Sequence, residues 1–197
     1  MKILMPPMQL LLFNGKNVHP GQATNIMINS ALIANELLSM IPDETPTNTK
    51  DYEGFYHLTD INGNVEKTKL HFIIRAFDKE EFENKKQTIT NIVSHLNEKY
   101  NNLLDLKIND SYFNMYDILK DNLHIIEKAK NAIIKAGIKT NVKPIRGGTD
   151  GARLSFMNLP CPNLFTGGHN FHVPYEYICI ESMVSAVNVI INIATDI

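Results

Sequence analysis

Tryptophan is absent from this 197-residue sequence, cysteine occurs only twice, and neither sign of charge dominates. Lys and Arg number 19 against 21 Asp and Glu. That balance leaves no basic stripe to track phosphates, which argues against a nucleic-acid partner. Two thiols, Cys161 and Cys179, without a secretion signal fit a reducing cytoplasm better than a disulfide framework. The opening "MKILMPPMQLLLF" is too short to span a bilayer. Pro6 and Pro7 break it and no small-residue cleavage site follows, which counts against a secretory leader. No later run is apolar enough to cross a membrane, so no membrane role is expected. There are no internal repeats and no low-complexity tracts, and HExxH, CxxC and paired-carboxylate motifs are all missing.

What remains is an ordinary globular composition, 44% hydrophobic and 20% charged, long enough for one large domain or two small ones. "GKNVHPG" reads as a strand end and turn punctuated by Pro20 and Gly21. Residues 22–41 place Ile26, Ile33, Ala34, Leu37 and Ile41 at helical spacing. "YEGFYHLTDI" and "VEKTKLHFIIRAF" read as two strands around Asn62-Gly63, a strong hairpin signal. In the second strand alternation puts Leu70, Phe72 and Ile74 on one face and His71, Ile73 and Arg75 on the other. A helix from about Lys79 and an alternating strand "NLLDLKIND" complete a β-α-β-β-α-β order, an α+β ferredoxin-like sandwich over residues 14–111. Residues 1–13 are left as an atypical N-terminal segment.

The remainder, 112–197, has a different character. The pattern predicts an amphipathic helix over 117–136 ended by Gly137, strands in "NVKPI" and "PCPNLFTGG", and a closing helix in "ESMVSAVNVIINIA". Alternating strands and helices suggest a parallel α/β layer, yet two or three strands are too few for one covered on both faces. This half reads as an incomplete α/β segment.

Three stretches carry chemistry. "IRGGTDGARL" sets Arg146 at a strand end before a double glycine, with Thr149 and Asp150 at a helix start. Such a loop attracts anions through its N–H groups, and an arginine clamps a carboxylate with two parallel bonds. The bland alternative is a strand-to-helix turn with a solvated arginine. "VHPG" puts His19 at a turn, where a histidine is more often structural than catalytic. "NLFTGGHNFHVPYEY" offers His169 and His172, but one imidazole holds no zinc ion, and a hydrolytic site takes about three protein ligands.

Together "GKNVHPG", "YEGFYHL", "LHFIIRAFD", "NEKY", "KPIRGGTDGARLS" and "LPCPNLFTGGHNFH" resemble, in order and separation, the C-terminal half of the peptidase T family of tripeptide aminopeptidases. The resemblance runs from about Asn14 to Ile197. It implies a lid and dimerisation domain at 14–111, followed at 112–197 by the end of a zinc-dependent catalytic domain. It also implies a cytoplasmic enzyme with two zinc ions, short peptides (tripeptides above all) as substrates, and a homodimer formed through the lid.

Residue by residue, the resemblance assigns His172, at the end of "FTGGHNFH", as a metal ligand. His19 becomes the lid histidine that stabilises the oxyanion across the dimer, in a catalytic role. Arg75, Asn114 in "YFNM" and Arg146 become substrate-binding residues, with Arg146 receiving the peptide's carboxylate. The family's other ligands and its general-base glutamate lie upstream of the lid, in a region this sequence does not carry. At most a partial metal site is therefore expected, and the isolated chain is expected to be inactive. The sequence departs from the family in Val173-Pro174 after the ligand histidine and in the strand entering "VHPG". The alternative reading is a non-catalytic dimerising module or the product of a frameshifted peptidase gene.

Overall fold

The computed structural model describes residues 8–109 and 114–195. The proline-interrupted start and the expected boundary between residues 111 and 112 lie outside the described residues. The chain divides into two compact units. One comprises the described residues up to 109 together with Arg146–Gly148; the other comprises 114–145 and 149–195.

In the first unit the order is β1 (Met8–Asn14), α1 (Ser30–Met40), β2 (Phe55–Gly63), β3 (Lys67–Arg75), α2 (Lys79–Tyr100) and β4 (Leu104–Ile108). The four strands form one sheet in the order β2-β3-β1-β4, and every pairing is antiparallel. This is the ferredoxin-like sandwich that the alternation predicts. Leu11 stands opposite Leu70 on one side and Leu106 on the other. Leu11, Phe13, Leu70 and Ile74 have no exposed surface and pack with Ile33 and Leu37 of α1 and Ile89 and Leu96 of α2. Burying such a side chain is worth about 1.5–3 kcal/mol before chain entropy is counted. The helices start on side-chain caps: Asn29 Oδ1 accepts from Ala31 N at 3.0 Å and Asp78 Oδ1 from Glu81 N at 2.8 Å. Asn101, at φ 55°, ends α2 in the left-handed conformation.

Three expectations need correction here. The segment before residue 14 holds the strand between β3 and β1's other neighbour, β4, so the sheet starts at Met8 rather than after residue 13. Its run of leucines hides the alternation: Leu11 and Phe13 are buried, while the half-buried residues of the other face, Leu10 and Leu12, are apolar as well. The helix expected over 22–41 starts at Ser30. Asn25 sits at φ 59° and Ile28 pairs with Lys16, which takes 22–29 out of any helix. Asn62-Gly63 is not the hairpin turn either: both belong to β2, opposite Lys69 and Thr68. The turn is 64–66, where Asn64 Oδ1 accepts from Glu66 N (2.9 Å) and Lys67 N (3.1 Å). Gly63 is required for a steric reason, since a Cβ there would lie 2.6 Å from Thr68 Cα.

The second unit contains α3 (Tyr116–Leu119), α4 (Leu123–Lys135), α5 (Asp150–Ser155), β5 (Gly168–His169), β6 (Tyr177–Ile178) and α6 (Ile180–Thr195). The single helix expected over 117–136 breaks at 120–122 and resumes after Asn122. A small core joins Met115, Leu119 and Ala152, and α6 lies on α4 through Val189 and Ala132, both buried. Asn192 Nδ2 donates to Ala132 O at 3.1 Å across that contact. The strand expected in "NVKPI" does not form, and of "PCPNLFTGG" only Gly168 enters a ladder, the two-residue pairing of β5 with β6. A strand exists only with a neighbour to bond, and among the described residues these segments have none.

Candidate functional site

Phe55 opens β2 directly opposite Arg75, the last residue of β3. The Arg75 guanidinium lies 5.8 Å from the centre of the buried Phe55 ring and that of Arg146 lies 5.1 Å from it. Arg146 reaches this place because the segment Arg146–Gly148 belongs to the first unit. Arg75 Nη1 donates to Arg146 O. Arg146 donates Nη1 to Thr49 O, and Nη2 to Thr49 Oγ1 at 2.6 Å and to Glu53 O at 3.3 Å. Sequence reasoning marked both arginines but missed Thr49, Glu53 and Phe55. The loop "PDETPTNTKD" reads only as polar, and backbone acceptors leave no trace in side-chain patterns.

Two cations therefore stand against one aromatic ring, and no carboxylate pairs with either among the described residues. Burial first, and the neighbouring Arg146 charge second, weaken Arg75's hold on its proton. The Nε atoms of both arginines are buried without an acceptor. Each such N–H costs about 1–3 kcal/mol in lost hydration. An anion is the chemical complement of this arrangement: it would offset the like-charge repulsion and accept the remaining N–H groups.

His19 is exposed at the start of a short 3-10 turn, Pro20–Gln22, and its Nδ1 accepts from Gly21 N at 3.1 Å. That bond fixes the tautomer: Nδ1 is an acceptor, so a neutral ring carries its proton on Nε2, which faces away as a free donor. Gly21 keeps the approach open, because a Cβ would lie 3.2 Å from that nitrogen.

In the second unit Asn114 is buried and its Oδ1 accepts from Tyr116 N at 3.1 Å, helping to turn the chain into α3. Thr149 stands at the start of α5 without capping it through its side chain; its Oγ1 accepts instead from Asn163 Nδ2 at 3.1 Å. His172 is exposed, takes φ 66°, and donates its backbone N–H to Glu176 Oε2 at 2.9 Å. His169 stacks on Tyr177 with ring centres 5.0 Å apart. Among the described residues no three His, Cys, Asp or Glu side chains are placed to hold a metal ion. A zinc ion needs three or four protein ligands. The residues present do not fit one by themselves.

Comparison with known proteins identifies the first unit. Residues 10–103 match the peptidase dimerisation domain. The chain is similar to peptidase T. It is 56% identical to peptidase T of Clostridium perfringens over 181 residues, which is 91% of this chain and 45% of that protein. It thus corresponds to the C-terminal part of these relatives and spans about half their length. The fold agrees with an aminopeptidase PepT from Bacillus cereus (TM-score 0.76, 18% identity, covering 98% of this chain and 52% of that one). A tripeptidase from Staphylococcus aureus matches at TM-score 0.74 and 16% identity, over 97% and 52%. A Bacillus subtilis protein described as a dinuclear metal binding peptidase of the M20 family matches at TM-score 0.62 and 13% identity, over 98% and 49%.

Proposed function

We propose that this chain supplies the dimerisation domain and the peptide-orienting residues of a peptidase T-like zinc aminopeptidase that removes the first residue of tripeptides. The sequence identity to peptidase T along nine-tenths of the chain supports the family part of this reading. The observation that carries the chemistry is the Arg75–Arg146 pair around Phe55, cationic and without a carboxylate. A tripeptide brings one fixed anion, its C-terminal carboxylate. Arg146 receives it while Arg75 adds charge and holds the Arg146 backbone. His19, with its free Nε2–H, donates to the oxygen that becomes negative as a peptide carbonyl is attacked. His172 contributes one ligand to a metal whose other ligands lie outside this chain, and no step is drawn through that ion. Asn114 is assigned a substrate-binding role on its motif alone. The protein acts as a homodimer through the β2 or β4 edge of its sheet, beside which no further strand pairs among the described residues. Two free cysteines accord with a cytoplasmic location, and no helix among the described residues is long and apolar enough to cross a membrane.

The test restores the upstream part of the C. perfringens relative, joined in frame ahead of Asn14 so that its own first strand replaces the start of β1. Tripeptide hydrolysis should appear in the zinc-loaded chimera. His19→Ala should then lower kcat about 100- to 1000-fold with little change in KM. Arg146→Ala should mainly raise KM for peptides with a free carboxylate and leave amidated peptides unaffected. A folded, metal-loaded chimera in which His19→Ala turns over tripeptides normally would refute the histidine's role.

A further inference from the structure

Arg146 is the residue proposed to grip a carboxylate, yet its gripping end is already held. Two N–H groups side by side make the fork that a carboxylate fits: Nη1 with Nη2 at the tip of the guanidinium, or Nε with Nη2 along one edge. Thr49 takes the tip fork with its own carbonyl and hydroxyl oxygens, which accept from Nη1 and Nη2. Glu53 O accepts the second Nη2 bond, at 3.3 Å. What remains is Nε–H and one N–H of Nη1, which lie on different edges of the planar group, and Nε is buried. Both forks are therefore closed, and the loop 44–54 of the same unit closes them.

The loop is fixed at its base. Glu44 O accepts from Tyr56 N at 2.7 Å, the Glu44 carboxylate pairs with buried Lys85, and Gly54 N donates to Glu81 Oε1 at 3.0 Å. Above that base, 45–49 is a turn closed by its own bonds. Thr49 N and Thr49 Oγ1 both donate to Thr45 O, at 3.2 and 2.5 Å, and Asn48 Oδ1 accepts from Thr45 N at 2.7 Å. The neighbouring residues 50–53 are held by Tyr52, edge-on to Phe77 with ring centres 5.3 Å apart. The turn 45–49 can thus leave Arg146 with its internal bonds intact. The bonds given up run from a cation to neutral oxygens, whereas charge-assisted bonds to a carboxylate are roughly twice as strong as neutral ones. A carboxylate would also offset the repulsion between the two guanidinium groups around Phe55. We infer that Thr49 is a positioning residue that stands in for a carboxylate on Arg146, and that a peptide carboxylate binds by displacing the turn 45–49. The turn is a latch that an uncharged peptide end does not open. This deepens the anion-binding role proposed for Arg146 and rests on it, but it concerns access to that residue and needs no catalysis.

Titration calorimetry of the full 197-residue chain with acetyl-glycyl-glycine, and with its amide as the uncharged control, tests the latch. Thr49→Val takes the hydroxyl away from Arg146 and keeps the shape of the side chain. It should tighten acetyl-glycyl-glycine binding about 3- to 10-fold, the factor set by one net hydrogen bond, and leave the amide unbound. Thr49→Ala should do the same, and Thr49→Ser, which keeps the hydroxyl, should match the parent; circular dichroism matching the parent excludes misfolding. In an Arg146→Lys background, which keeps the charge without the fork, Thr49→Val should gain nothing. Tightening separates the latch from a merely structural role, whose loss would weaken binding. Weaker or unchanged binding in the Val and Ala variants overturns the inference, because the hydroxyl would then orient Arg146 for its ligand or leave it indifferent. Equal tightening in the Arg146→Lys background overturns it too, as does no binding by parent and variants alike. Arg146-dependent binding without a gain in the Thr49 variants would sink the latch and leave the proposed function standing. A gain in those variants, with no tripeptide hydrolysis by the chimera, would leave the latch standing and count against the proposed function instead.

Discussion

Phe13→Ala tests whether the apolar start of this chain is structural. Phe13 has no exposed surface, stands opposite Thr68 of β3 and Leu104 of β4, and belongs to the core beneath both long helices. Truncating a buried phenylalanine costs about 3–5 kcal/mol, from lost transfer energy and the cavity left behind. A domain of this size has about 5–15 kcal/mol in all, so the variant loses about a fifth of its stability or more. At about 4–8 °C per kcal/mol for a domain of up to 100 residues, the melting temperature should fall by roughly 12 °C or more. Leu12→Ala is the internal control: Leu12 is half-buried on the other face of the strand and should cost about 1 kcal/mol. Because the chain lacks tryptophan, urea unfolding is best followed by circular dichroism, with hydrogen exchange at β3 amides isolating the first unit. A Phe13→Ala chain within about 1 kcal/mol of the parent would refute the placement of Met8–Asn14 inside the sheet.

Gly63→Ala should destabilise the β2–β3 hairpin by about 1–3 kcal/mol in the same urea assay, because the new Cβ meets Thr68 Oγ1 at 2.3 Å and also its Cα at 2.6 Å, which no rotamer change moves away. It should also loosen the buried Ser30–Thr68 hydroxyl contact of 2.8 Å, visible as faster exchange in β3. Tyr56 gives a pH prediction: burial first raises its phenol to about 12, above the 10.0 of an exposed tyrosine. The unfolded chain then releases this proton before the folded one, so Tyr56 favours folding fully below pH 10 and progressively less between 10 and 12. Tyr56→Phe should flatten the fall in stability across that window, and an unchanged slope in alkaline urea titrations would contradict the burial argument.

How much of this was legible in the sequence depends on whether an element carries its own partner. β3 and α2 were readable because their apolar positions recur at the proper period and one face of each meets the core while the other is more exposed: Leu70, Phe72 and Ile74 are buried as alternation predicts. β1 was not, because a strand paired on both edges and apolar on both faces shows no alternation to read. The hairpin was found but its turn misplaced. Asn62-Gly63 has the composition of a tight turn, yet it is close approach to Thr68 that requires the glycine, while Asn64 makes the turn with its side chain. At the site, periodicity places Arg75 on the face opposite the core, but nothing local shows that Arg146, 71 positions on, meets it at Phe55.

The two units also differ in what closes them, and this bears on how the chain works. In the first, long-range antiparallel pairing joins both inner strands to neighbours on each side, and the outer edges of β2 and β4 are partly satisfied within the chain, at Tyr56 by Glu44 O and at Leu104 by the Asn97 side chain. In the second, helices form because an α-helix bonds within itself, whereas 139–145 and 162–165 pair with no strand among the described residues because a strand cannot bond alone. Residues placed by the first unit, His19, Arg75 and Arg146, are therefore held by bonds the chain makes alone. His172 is held more sparsely, by one backbone bond to Glu176 in the exposed loop of a two-strand hairpin. A consequence follows for ligand binding by the unassisted chain. Anion affinity should depend on Arg146 and survive His172→Ala, and metal affinity should be weak with or without His172. Titration calorimetry with acetyl-glycyl-glycine as the anion probe and with zinc separates the two. Loss of anion binding in His172→Ala, or a sub-micromolar zinc site that this substitution removes, would show that the second unit organises a site without help.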